Sequence, residues 1–212
     1  MTYYRVHEPQ YKSDYEFMSK NGTAYTSEQA GYFDILRKGY PKPSNPNTIL
    51  AELYSPNVPP VLWATLDRRV SFLVTDAFLK TLKAWGIEGF LLTPVEITKV
   101  AVKGRRKSSA KEYSGEPEDM ILKRKNVLKK VDNLPTLWGI EIVGEVQVEP
   151  LEVPKDIFSS VMSFKFTTQP STDLFQPVCQ NRRYGSHCSE RFKTLAEQNS
   201  IENFGFTPIS SQ

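Results

Sequence analysis

Residues 76–94 read DAFLKTLKAWGIEGFLLTP, and residues 189–208 read SERFKTLAEQNSIENFGFTP. With one extra residue, Ser200, allowed in the later stretch, Lys80-Thr81-Leu82 falls on Lys193-Thr194-Leu195. Ile87-Glu88 then falls on Ile201-Glu202, Phe90 on Phe204, and Thr93-Pro94 on Thr207-Pro208. Each stretch opens on a residue suited to cap a helix, Thr75 or Asp76 in one and Ser189 in the other. A short polar side chain there accepts the orphan N–H groups of the first turn. Apolar residues follow at helical spacing: Phe78, Leu79, Leu82 and Trp85, then Phe192, Leu195 and Ala196. Gly86 and Asn199 stand where a left-handed residue ends a helix. A short strand comes next, closed by Thr-Pro, since proline cannot donate into a ladder. The spacing therefore predicts helix, turn and strand, used twice, at about residues 75–97 and 188–209.

Working outward, residues 2–6 alternate like an edge strand, and Ser27–Arg37 carries one short helical pattern. Thr48–Tyr54 and Pro60–Leu66 read as strands, and Ser71–Val74 leads into the first helix. The strand after that helix is expected to run on through Thr98, with Pro94 marking an edge or a bulge. Residues 103–119 have no apolar periodicity and are rich in Gly, Ser and charge, which predicts an exposed, mobile loop. Met120–Val131 fits helix and strand equally. Trp138–Val148 reads as strand with a kink at Gly144, Asp156–Met162 as a short helix, and Ser163–Thr168 and Leu174–Cys179 as strands. Strands with two or three helices and no βαβ regularity give an α+β fold, a mixed or antiparallel sheet in a single domain over 1–212.

The totals bound the function. A chain of 212 residues with 39% hydrophobic and 12% aromatic side chains can bury a core. No run approaches the ~20 apolar residues of a membrane span, and the first residues form no signal-peptide pattern. Two cysteines, Cys179 and Cys188, are too few for a disulfide framework, so a reducing, cytoplasmic setting is expected. The net charge of +3 is uneven: between Lys99 and Lys130 stand eleven Lys/Arg against four Asp/Glu, and the remainder is mildly acidic. Such asymmetry concerns partners, not fold.

Nucleophilic chemistry needs Cys or Ser beside a base. The candidates are His187 with Cys188 or Cys179, and adjacent side chains diverge. The expected reading is a buried Cys188 at a helix start beside a surface His187. Two Cys and one His do not make a zinc site, and the eleven glycines form no phosphate loop. No catalytic, metal or cofactor residues are assigned, and no cofactor is expected. Glu116, Glu118 and Asp119 read as solvated charge, and Glu88 and Glu202 as turn residues. The candidate partner-binding residues are Lys103, Arg105, Arg106, Lys107, Lys111 and Tyr113. Cations there could meet phosphate or an acidic protein patch; a lone Tyr113 offers little stacking for single strands.

The first stretch, Phe72-Leu73-Val74-Thr75-Asp76 followed by Leu79, Leu82, Gly86-Ile87-Glu88-Gly89-Phe90 and Pro94, resembles the Imm-eleven type of immunity protein. Those proteins belong to bacterial polymorphic toxin systems, including contact-dependent and type VI secretion. The closing Ser189, Glu190, Arg191, Phe192, Leu195, Ile201, Phe204, Phe206 and Pro208 resemble the same family's final strand, helix and strand. The resemblance covers roughly residues 60–100 and 174–209 and leaves the first fifty residues and the basic segment aside. It implies a cytoplasmic antidote that neutralises a cognate toxin by direct binding. The matched positions are mostly core positions, so the resemblance carries over a fold and a family role but no binding residues. Two other readings stay open: a nucleic-acid-binding module using residues 99–130, and a divergent enzyme.

Overall fold

The computed structural model of the chain describes residues 2–9, 24–25, 48–53, 56–65, 70–103, 126–150 and 164–209. Its strands are β1 Tyr3–His7, β2 Ala24–Tyr25, β3 Ile49–Leu53, β4 Val61–Thr65, β5 Phe72–Thr75, β6 Phe90–Lys103 and β7 Asn126–Lys129. They continue as β8 Leu137–Ile142, β9 Glu145–Pro150, β10 Phe164–Phe166, β11 Leu174–Cys179, β12 Arg182–Arg183, β13 Ser186–Ser189 and β14 Gly205–Ile209. Helix α1 spans Asp76–Ala84 and helix α2 Glu190–Gln198. The fold is α+β with mixed sheets. Contacts gather into two compact units, one of Met1–Pro9, Thr81–Leu91 and Ile142–Gln212, the other of Gln10–Lys80 and Leu92–Glu141. No helix among the described residues is long and apolar enough to cross a membrane.

One sheet runs β3-β2-β4-β5-β8-β6-β7, and β3 also pairs with β6, closing its first six strands into a ring. Its core holds Ile49, Leu53, Leu62, Val70, Leu73, Val100 and Leu137. Along the parallel β3–β6 ladder the register shifts between Ala51 and Glu52, leaving Thr98 as the extra residue. The Thr98 hydroxyl donates to the Ala51 carbonyl at 3.1 Å. The bulge expected from the Thr-Pro signal thus falls four residues beyond Pro94, and β6 lies inside the sheet, not at an edge.

The other sheet runs β10-β9-β11-β13-β1-β14, with β12 on β11. Tyr3, Val146, Val148, Phe164 and Phe175 form its core. Here β1 lies between β13 and β14, so it is a central strand and not the edge strand its alternation suggested. Its partners lie near the far end of the sequence, where no local pattern could reveal them.

The stretch expected as one kinked strand, residues 138–148, is two strands of different sheets, β8 and β9, parted at Val143-Gly144. Residues 126–129 resolve the helix-or-strand ambiguity as β7, paired antiparallel with the end of β6. The helical pattern at Ser27–Arg37, the helix expected at Asp156–Met162 and most of the loop at 103–119 lie outside the described residues.

Both helix–turn–strand units form. Their backbone bonds show that the two helices correspond without an extra residue. Thr75 Oγ1 accepts from Phe78 N at 3.4 Å, and Ser189 Oγ from Phe192 N at 3.3 Å. At the other end Ile87 N bonds Leu82 O at 3.0 Å, and Ile201 N bonds Ala196 O at 2.9 Å. Leu82 therefore matches Ala196 in space, and the shared Lys-Thr-Leu is offset by one position. The left-handed residue of the second turn is Ser200, φ 53°, and not Asn199, φ −93°. Asn199 instead donates its side-chain amide to the Leu195 carbonyl at 2.8 Å.

Candidate functional site

A cleft of about 390 Å³ opens beside the start of α2, lined by Tyr3, Glu88, Pro170 to Asp173 and Ser189 to Arg191. Its centre is Asp173, whose side chain is only 12% exposed. One carboxylate oxygen accepts from the Ser189 hydroxyl at 2.6 Å. The other faces the Arg191 guanidinium at 3.4 Å and the Glu88 backbone N–H at 3.4 Å. Below it the Asp173 carbonyl accepts from Ser189 N at 2.8 Å, continuing the pairing of β11 with β13. Arg191 also donates to the Trp85 carbonyl. Asp173 thus ties the opening of α2 to the turn at 85–89.

Close backbone approach makes that turn possible. Leu174 N donates to Glu88 O at 2.9 Å, and Val143 N to Gly89 O at 2.9 Å. Gly89 has φ 100°, and a Cβ there would collide with the Leu174 carbonyl. Only glycine fits such a position.

At the rim, the Tyr4 hydroxyl donates to Glu190 at 2.5 Å, and this bond pushes the phenol's pKa up. Lys193 lies 5.0 Å over the Tyr4 ring and bridges Glu190 and Glu197.

Thr172, Asp173, Ser189 and Arg191 are engaged in shaping the cleft. The Ser189 hydroxyl donates to Asp173 and accepts at the cap of α2. His187 is not a surface residue: it is 3% exposed, stacked on Phe175 at 5.9 Å, and burial lowers its pKa to about 4. Cys188 is fully buried, and burial raises its thiol pKa far above the ordinary value. A protonated, buried thiol is a poor nucleophile. His7, at the other end of β1, bonds Thr207 Oγ1 through Nε2 at 2.9 Å. Among the described residues no three His, Cys, Asp or Glu side chains gather as a metal would need.

Of the partner-binding candidates, Lys103 ends β6 and pairs in register with Asn126 of β7. Arg105, Arg106, Lys107, Lys111 and Tyr113 lie outside the described residues, on the connection between those two antiparallel strands. Lys129 and Lys130, at the end of β7, are exposed. Asp173 carried no signal in the sequence, because a lone Asp in a Ser-Thr-Asp turn has no pattern to betray it. Ser189 was legible as a cap. Compared with models of known protein families and with curated proteins, the chain matches none.

Proposed function

We propose that this chain is a cytoplasmic immunity protein that neutralises a cognate secreted toxin by direct binding. What supports the reading is the closing strand, helix and strand that carry the resemblance, in which Phe192, Leu195, Ile201 and Phe204 are buried. Ser189 caps the helix, and Phe192, Phe204 and Phe206 pack as one aromatic cluster with centroids 5.4–6.5 Å apart. The polar network around Asp173 adds support, since each group named there holds backbone or helix in place. That is the construction of a rigid binding scaffold, in which preorganisation lowers the cost of association.

The test is co-expression with a candidate secreted toxin from the genomic neighbourhood of the chain. Protection of the cells, together with a stoichiometric complex of the purified proteins, is the expected result. A folded chain that neither binds nor protects would overturn the proposal. Tight, salt-sensitive binding to DNA or RNA instead would favour the basic β6–β7 connection as a phosphate-binding element.

A further inference from the structure

The two sheets follow one plan, and neither is completed by its own stretch of chain. Among the described residues, and leaving aside β7 and the two-residue β12, the chain passes twice through the same order: leading strand, two paired strands, two more strands, helix, last strand. The first pass is β1, β2, β3, β4, β5, α1, β6; the second is β8, β9, β10, β11, β13, α2, β14. In both, the second and third strands pair antiparallel, and the second pairs parallel with the fourth. Equivalent bonds join the fourth and fifth: Thr75 N to Pro60 O at 2.9 Å, Ser189 N to Asp173 O at 2.8 Å.

Each leading strand nevertheless sits in the other pass's sheet. β1 lies between β13 and β14, and β8 lies between β5 and β6. Their registers are equivalent: Tyr3 opposes Ser189 as Leu137 opposes Thr75, and Val6 opposes Ser186 as Ile140 opposes Phe72. Thr2-Tyr3-Tyr4-Arg5-Val6 and Thr136-Leu137-Trp138-Gly139-Ile140 share the opening threonine and large apolar residues at the second, third and fifth positions. In each, the second and fifth of these residues are buried.

We infer that the chain is a tandem duplication whose copies have exchanged leading strands, and that the gap between β13 and β14 is a strand-binding site that a second copy of this chain can fill with its own β1. An exchanged strand makes the same pairs as a resident one, so transfer between chains loses no contact. The site's preference is written in its lining. It takes an extended segment with large apolar groups at Tyr3 and Val6, which are 2% and 4% exposed. It also takes a hydroxyl at Tyr4, which bonds Glu190 at 2.5 Å. Trp138, the matching residue of β8, has no hydroxyl to give.

The register supplies a test in the full chain. Tyr4 is the direct partner of Cys188, so Tyr4→Cys places a second thiol opposite it, with Cys179→Ser removing the other cysteine. The variant is unfolded, refolded at low and high protein concentration, and mildly oxidised. The expected product is a bond from the introduced thiol to Cys188, within one chain at low concentration and increasingly between two chains at high concentration. Complete bonding that stays within one chain at every concentration overturns the transfer. A folded variant that forms no such bond overturns the placement of β1. Should the variant not fold, isotopically labelled and unlabelled wild-type chains are refolded together. Mixed dimers in the mass spectrum support the transfer, and their absence at high concentration overturns it.

Discussion

Gly86 and Ser200 hold the same left-handed backbone, φ 61° and 53°, at the same point of the two helix–strand turns. Glycine enters that region freely, whereas a residue with a Cβ does so at a cost of about 1–2 kcal/mol. Ser200→Gly is therefore expected to raise stability by roughly 0.5–1 kcal/mol, part of the relief being lost to glycine's freer unfolded chain. Gly86→Ala is expected to lower it by about 1–2 kcal/mol, and its methyl would also meet the Arg191 guanidinium at 3.3 Å. Denaturant midpoints of the two variants should move in opposite directions.

Leu82 and Leu195 are both fully buried on their helices. Changing either to Ala removes apolar contact and leaves a cavity, at an expected cost of about 2–5 kcal/mol each. A loss below about 0.5 kcal/mol for both, the scale of an ordinary surface change, would contradict their core role.

His187 should make the protein acid-sensitive. Burial is the largest cause of its lowered pKa, Arg5 adds to it, and a bond to the Gly185 backbone opposes it. Between pH 6.5 and about 4 the unfolded chain takes up a proton that the native ring refuses. Stability from this residue is thus complete above pH 6.5 and falls as the pH drops toward 4. The span corresponds to about 3 kcal/mol. His187→Phe, which keeps a ring against Phe164 and Phe175, should remove that part of the slope. Denaturation of both proteins at pH 7 and pH 4.5 checks it; equal acid losses would exonerate the histidine.

Asp173→Ala leaves the Ser189 hydroxyl, the Glu88 N–H and the Arg191 guanidinium without their shared acceptor. The expected loss is about 1–3 kcal/mol, with faster hydrogen exchange in the first turn of α2. Arg191→Ala should cost less, because its side chain is 53% exposed and water can replace it.

If the chain binds a toxin as proposed, neutralising Arg105, Arg106 and Lys107 should leave that complex intact while slowing association at low salt, since peripheral charges act mainly on encounter. Stopped-flow rates across a salt series would show it. A dissociation constant weakened many-fold, with the association rate unchanged, would place those side chains at the centre of the interface.

The helix–strand units were legible because every signal in them is local: a cap, a 3.6-residue apolar period, a turn residue and a closing proline. Their exact alignment was not, because Lys-Thr-Leu repeats at an offset that the backbone bonds do not follow. The central place of β1 was invisible for a different reason. Period-two alternation reports which faces are covered, and says nothing of how many neighbours pair along the edges. His187 was misplaced to the surface because the aromatic rings that enclose it, Phe164 and Phe175, come from two other strands. The Asp173 network was unreadable for a like cause, since its members meet only after three segments of chain come together.

The position of β1 also sets the timing of biosynthesis. Tyr3 leaves the ribosome long before Ser189 and Ile209, the residues it pairs with. At about 5–20 residues per second the wait is on the order of 10–40 s. Through that interval Tyr3 and Val6, hidden in the finished protein, lack the β13 and β14 strands they finally pair with. Within its sheet the strand synthesised before all its neighbours is thus among the last to be seated, and a nascent-chain chaperone that shelters this segment would act before the other strands of that sheet exist.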